Sequence, residues 1–112
     1  MRDHPSHSQF AMSGGMWCAT NKGVPNMAEL LANSQSGQGY LEDMNFLNAI
    51  VWPIARQSIL QHDSFSCKEF NGSIPFPTRR IGSEHVGSVY INGNMRSVDV
   101  DILKNALGSE CL

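Results

Sequence analysis

The first seventeen residues, Met1-Arg2-Asp3-His4-Pro5-Ser6-His7-Ser8-Gln9-Phe10-Ala11-Met12-Ser13-Gly14-Gly15-Met16-Trp17, hold the densest set of chemically capable side chains in this chain. Arg2, Asp3, His4 and His7 fall within seven positions, in an order that neither helical nor strand periodicity requires. A guanidinium, a carboxylate and two imidazoles so spaced can fix sugar hydroxyls by bidentate hydrogen bonds, with a histidine near phosphates. The other reading is structural, with Arg2 and Asp3 as an ion pair and His4-Pro5 as a rigid turn. Gly14-Gly15 permits positive φ and lets another group approach the backbone closely. Further along, His62-Asp63 can offer a metal ligand or a histidine that shapes its loop through a backbone hydrogen bond. Asp43 can orient a hydroxyl or serve as an exposed helix carboxylate, and Arg79-Arg80 can face phosphate oxygens or water.

These groups need elements to position them. Phe10, Met12 and Met16 around Ser13-Gly14-Gly15 read as a short strand broken by a tight turn. A first helix is expected after Pro25, with Asn26 as N-cap and Glu29 at the capping-box spacing. It ends before the polar turn Asn33-Ser34-Gln35-Ser36-Gly37-Gln38-Gly39. A second helix starts near Leu41, where Leu41, Met44, Leu47, Ile50 and Val51 recur at helical spacing, and Pro53 ends or kinks it. A helical turn over Ile54 to Gln57 and a brief strand over Ser58 to Gln61 would then deliver His62 to a loop. Pro75 and Pro77 exclude a helix in the next segment. Residues 86 to 91 alternate as a strand, Asn92-Gly93 marks a turn, and a last helix runs from about Val98 to Leu107, capped by Ser97 or Asp99 and closed by Gly108. Short strands alternating with two or three helices describe a piece of an α/β domain.

With 112 residues the chain forms one domain at most. Charged residues are only 16% of it and the net charge is -2, so it has no basic stripe with which to neutralise nucleic-acid phosphates. Cys18, Cys67 and Cys111 are odd in number and widely spaced. They read as small semi-buried residues in a reducing compartment, with one bridge available to a secreted chain. No membrane-spanning segment or apolar signal core is present, which leaves the compartment unassigned and cytoplasmic by default.

Four blocks together resemble a known family: the opening run through Gly14-Gly15-Met16-Trp17, then Tyr40-Leu41-Glu42-Asp43-Met44-Asn45-Phe46-Leu47, Gln61-His62-Asp63-Ser64-Phe65-Ser66-Cys67 and Pro75-Phe76-Pro77-Thr78-Arg79-Arg80. In this order they resemble the C-terminal half of glycosyltransferase-like proteins with the GT-A nucleotide-diphospho-sugar fold. The resemblance spans roughly residues 1 to 90. It implies an α/β domain of which residues 1 to 112 form the acceptor-side portion, and a parent that transfers a sugar from a nucleotide-sugar donor to a carbohydrate acceptor hydroxyl. Since a site loop is normally held by elements on both sides, it also implies that Met1 is an internal position of a longer protein; with the nucleotide-binding half and the upstream Asp-x-Asp pair of such enzymes missing, this chain alone is expected to be inactive or very weak.

The resemblance further implies roles for single residues. Asp43 points from its helix toward the acceptor or sugar pocket, as general base or hydroxyl-orienting group. Gly14, Gly15 and Trp17 line that pocket, where small residues admit a sugar and the indole stacks on its apolar face; the alternative for Trp17 is a place in the core. Arg2, Asp3, His4, His7, Arg79 and Arg80 contact substrate. Manganese or magnesium neutralises the departing diphosphate, and His62 completes the metal shell. Asp99-Val100-Asp101 is set aside as the metal pair of such enzymes, because it follows a turn and opens a helix, where acidic residues favour the helix dipole. A sheet lacking its first half would expose an edge and promote self-association. Two other readings stay open. One is a small carbohydrate-binding module without catalysis. The other, a histidine-based metal hydrolase, lacks the His-x-x-x-His or His-Glu-x-x-His spacing.

Overall fold

The computed structural model describes residues 1–34, 37 and 39–111, which divide into two compact units, residues 10–60 and residues 1–9 with 61–112. The part of the polar turn expected at Gln35, Ser36 and Gln38 lies outside the described residues. No helix among the described residues is long and apolar enough to cross a membrane.

In residues 10–60 Leu47 and Val51 of the helical apolar series do what their spacing requires, whereas Leu41 and Ile50 of the same series are exposed. Leu47 and Val51 face inward and close with Met12 and Val24 into a buried cluster, against which Trp17, Met27, Leu30, Phe46 and Trp52 pack. Helix α1 is Met27–Asn33, and its first backbone bond runs from the Leu30 N–H to the Asn26 carbonyl at 2.9 Å. Asn26 does not act as the expected capping side chain. It sits at φ 59°, and the left-handed conformation leaves its amide making no cap bond; a capping side chain needs extended backbone.

Helix α2, Glu42–Phe46, continues through a π-helical turn, Leu47–Val51, into α3, Trp52–Ala55. Pro53 therefore does not end the helix. Its ring and missing N–H would clash with and leave unpaired a carbonyl of the preceding α-turn, and the wider π-turn just before it relieves both problems. The strands expected over residues 8 to 17 and 58 to 61 do not form. Pro5–Gln9 is a 3-10 helix, residues 11–16 are bends and turns, and Ser58, Ile59 and Leu60 are exposed without a ladder.

The other unit gathers three extended pieces. Arg2 pairs in parallel with Asp63, and His62 pairs in parallel with Ile74. Four backbone bonds of 2.9–3.1 Å hold them: Arg2 N–H to His62 O, Ser64 N–H to Arg2 O, Asp63 N–H to Ile74 O and Ile74 N–H to Gln61 O. Strands β1, Tyr90–Ile91, and β2, Asn94–Met95, form an antiparallel hairpin with Tyr90 opposite Met95. Its turn residues Asn92 and Gly93 have φ of 50° and 78°, the doubly left-handed pattern that Asn-Gly favours. The strand foreseen from residue 86 is thus confined to its last two residues.

Helix α4, Ser97–Ala106, buries Leu103 completely and is followed by Gly108 at φ 89°. Neither Ser97 nor Asp99 caps it through a side chain. Asp99 instead receives both the Nε and an Nη of Arg96, at 2.8 and 2.7 Å, and this neighbouring guanidinium lowers its pKa.

The interior of this unit is mainly polar. Arg2, Asp3, His4, Gln61, Asp63, Ser66 and Asp99 are all buried, as is Leu103. Cys67 and Cys111 form a disulfide across 44 residues of sequence, whereas Cys18 is a free, exposed thiol. The free-thiol reading of the first two is thereby corrected: wide spacing along the chain carries no information about distance in the fold.

Candidate functional site

The residues 10–60 contain a cleft of about 450 Å3 whose walls include Gly14, Trp17, Met27, Leu31, Asp43, Phe46 and Leu47. Its geometry starts from one amide. Asn48, one turn after Met44, receives the Met12 N–H on Oδ1 and gives its Nδ2 to Met12 O, both at 2.9 Å, with a further bond to Met44 O. This double bond copies a strand pairing and holds the residue-12 segment against the helix. The Gly14 N–H then meets the Met44 sulfur at 3.0 Å. A Cβ on Gly14 would come within 2.9 Å of Asp43 Oδ2, so a residue without a side chain is what lets the carboxylate lie against this turn.

Asp43 is exposed, and its carboxylate makes no hydrogen bond or ion pair with the other described residues. The Trp17 indole N–H is equally unpartnered among them, while its ring packs at the edge of the apolar cluster. Gly15 is exposed and does not line the cleft. Asn48 carries no chemistry of its own but positions the turn. Sequence reasoning missed it because an Asn inside a helical run has no periodic signature.

In the other unit, the opening residues are tied into the protein. Arg2 is 1% exposed; its Nε lies 2.6 Å from Asp63 Oδ2, and an Nη donates to Gln61 Oε1 and Ser73 Oγ. Its guanidinium carbon also stands 3.9 Å from the centre of the Phe70 ring. Asp3 receives Arg80 and the Ser64 hydroxyl on one oxygen and the Val86 N–H on the other. Arg2 and Asp3 thus each form an ion pair, but with distant partners rather than with each other.

His4 is buried. Its Nε2 faces the Asp99 carbonyl at 2.9 Å and must carry hydrogen there, while Nδ1 accepts the Ser6 N–H. His7 accepts the Asp3 N–H on Nδ1. The ring of His85, absent from the sequence-based candidates, lies 4.7 Å from that of His4 and 6.1 Å from that of His7. Two of these histidines are three residues apart, but the third is 78 positions further on than His7, beyond any spacing rule.

Burial and the neighbouring His4 and His85 push the His7 pKa down to about 4. The unfolded chain, with an ordinary histidine, takes up this proton near pH 6.5 and the folded one near pH 4, so stability falls as pH is lowered through that window and levels off below it. The contribution is expected to be roughly 1–2 kcal/mol once screening of a part-exposed ring is allowed for. Urea midpoints at pH 7.5 and 4.5 should show the loss in the native chain, and His7→Asn should remove most of it. An equal slope in both chains would place the acid sensitivity elsewhere.

Arg80 and the exposed Arg79 line a second, wider cleft of about 730 Å3 together with Asp3, Ser64 and His85. The Nε and Nη1 of Arg80 are buried with no hydrogen-bond partner among the described residues, and its guanidinium carbon is 5.0 Å from the centre of the Phe65 ring. His62 is half-buried, stacked at 5.3 Å on Phe76, with Nδ1 3.0 Å from the Pro75 carbonyl. That contact puts hydrogen on Nδ1, the kind of carbonyl bond that orients histidines which bind metal through Nε2. Among the described residues no three His, Cys, Asp or Glu side chains converge to hold a metal ion.

Compared with family models, with curated proteins and with solved structures, the chain has no match.

Proposed function

We propose that this chain is the acceptor-side portion of a GT-A-like glycosyltransferase, which moves a sugar from a nucleotide-sugar donor to an acceptor hydroxyl. The observation that carries the proposal is the meeting of Gly14, Trp17 and Asp43 in one cleft, although they come from two sequence blocks. Each supplies a different requirement of an acceptor site. The indole offers a flat face for the C–H surface of a sugar ring. Gly14, without a side chain, lets the Asp43 carboxylate lie against the turn at the cleft wall. The unpaired Asp43 carboxylate takes the proton of the attacking hydroxyl as its oxygen bonds to the anomeric carbon and the nucleoside diphosphate leaves with the bonding electrons.

Arg79 gives the second cleft one exposed guanidinium suited to a diphosphate oxygen, beside Arg80, which is paired with Asp3, and the carboxylates of Asp63, Glu84 and Glu110. A divalent cation, when bound, neutralises the leaving diphosphate. His62 through Nε2 fits the part of one ligand to manganese or magnesium, and the carboxylates of such a centre would come from outside the described residues. Self-association belongs to the same proposal, since Tyr90 and Ile91 of the hairpin are both more than half exposed.

The test is binding of a panel of methyl glycosides to the chain, followed by the NMR shift of the Trp17 indole N–H. Saturable shifts are expected, with affinity reduced about tenfold in Asp43→Asn through loss of a charge-assisted hydrogen bond. Trp17→Phe, which removes the indole probe and is therefore read by isothermal titration calorimetry, keeps a ring in the apolar cluster and should weaken binding by a smaller factor. Binding by the native chain and by Asp43→Asn with equal affinity would remove Asp43 from the site. A non-catalytic module is distinguished by saccharide binding with no linkage to nucleotide-sugar binding.

A further inference from the structure

The cleft that holds Asp43 is mostly apolar, and its polar groups are few. Trp17, Met27, Leu31, Phe46 and Leu47 form most of its walls; Asp43 and Glu42 supply carboxylates, and the Ser34 hydroxyl is engaged with the Leu31 carbonyl. An unsubstituted sugar offers hydroxyls around its whole ring, and those laid against Met and Leu side chains would lose water without gaining a partner. Leu31 meanwhile is 53% exposed on the wall of the cleft, apolar surface that a ligand can cover. With about 450 Å3 available, the cleft is of small-molecule size and has room beyond the part facing Asp43.

From this distribution of polar and apolar walls we infer that the acceptor is a glycoside carrying an apolar alkyl or aryl body. Its hydroxyl lies at Asp43, its ring on Trp17, and its apolar body along Met27 and Leu31. The inference rests on the carbohydrate reading of the cleft and adds the chemical class of what is attached to the sugar.

The experiment compares methyl, butyl and hexyl glycosides of the same sugar, with 1-hexanol as control, all below micelle-forming concentrations. It is run for glucosides, galactosides and mannosides and read from the Trp17 indole N–H shift of the chain. Each fully buried methylene should improve affinity by up to about fourfold, so a gain of roughly tenfold to a hundredfold is expected from methyl to hexyl. Leu31→Asp, at a half-exposed position of helix α1, should cancel most of that gain. Far-UV circular dichroism checks the fold of the variant. Equal affinity for methyl and hexyl glycosides would overturn the inference while leaving the carbohydrate reading in place. Binding of 1-hexanol as tight as that of the hexyl glycoside, or no binding of any glycoside, would overturn both.

Discussion

Asp63→Ala is expected to destabilise the unit formed by residues 1–9 and 61–112 by about 3–5 kcal/mol, the usual cost of removing one member of a buried ion pair. Asp63 is fully buried, and beyond Arg2 its second oxygen accepts the Phe65 and Ser66 N–H groups at 2.9 and 2.6 Å. The substitution therefore removes the acceptor of the Arg2 Nε–H and of two backbone amides in an interior where, among the described residues, Leu103 is the fully buried apolar side chain. Against a typical total stability of about 5–15 kcal/mol, that loss decides whether the unit folds. Arg2→Lys should cost less, about 2 kcal/mol, because an ammonium keeps the charge but cannot reach Asp63, Gln61 and Ser73 with one planar fork. The double variant Arg2→Met/Asp63→Leu is expected to be more stable than Asp63→Ala alone, since neither charge is then left unpaired. Urea unfolding followed by NMR signals from residues 61–111 measures all three. A cost below 1 kcal/mol for Asp63→Ala would mean that the pair is not buried as described.

Reduction of the Cys67–Cys111 disulfide should cost about 2–4 kcal/mol. The bond closes a 44-residue separation, for which loss of chain entropy in the unfolded state predicts about 4 kcal/mol before native-state strain is subtracted. It also ties the chain end to the centre of the unit, because the Cys111 N–H donates to the Ser64 carbonyl at 2.7 Å beside the Arg2 pairing. A denaturation midpoint measured with and without a thiol reductant should fall accordingly. The double variant Cys67→Ser/Cys111→Ser should show the lower midpoint under both conditions, and Cys18→Ser should behave as the native chain does. A midpoint indifferent to reductant would contradict this account of what holds the polar unit together.

Both effects arise from contacts that linear reasoning does not reach. Helical spacing marks the segments after Asn26, from Leu41 and near Val98, and helices stand at all three; the Asn92-Gly93 turn is likewise local chemistry. These features depend on neighbours within four residues. Arg2 with Asp63, Asp3 with Arg80, His85 with His4 and Cys67 with Cys111 depend on closures of 44 to 81 residues, which no periodicity encodes. Pro53 was locally ambiguous for a different reason. A proline rule states what an α-helix cannot do, but not that a π-turn beside it absorbs the problem. In the candidate site, residue types name Gly14, Trp17 and Asp43 as chemically capable, whereas their convergence depends on the Asn48 amide pairing with Met12.

The central claim is that the cleft bearing Asp43 receives a hydroxyl compound built on a sugar. The most direct measurement is titration of the chain with methyl and hexyl glycosides while the Trp17 indole N–H resonance is followed in native and Asp43→Asn proteins. The account predicts a saturable shift in the native chain, tighter with the hexyl compound and weakened about tenfold by Asp43→Asn. An indole resonance that does not move with any glycoside would contradict it.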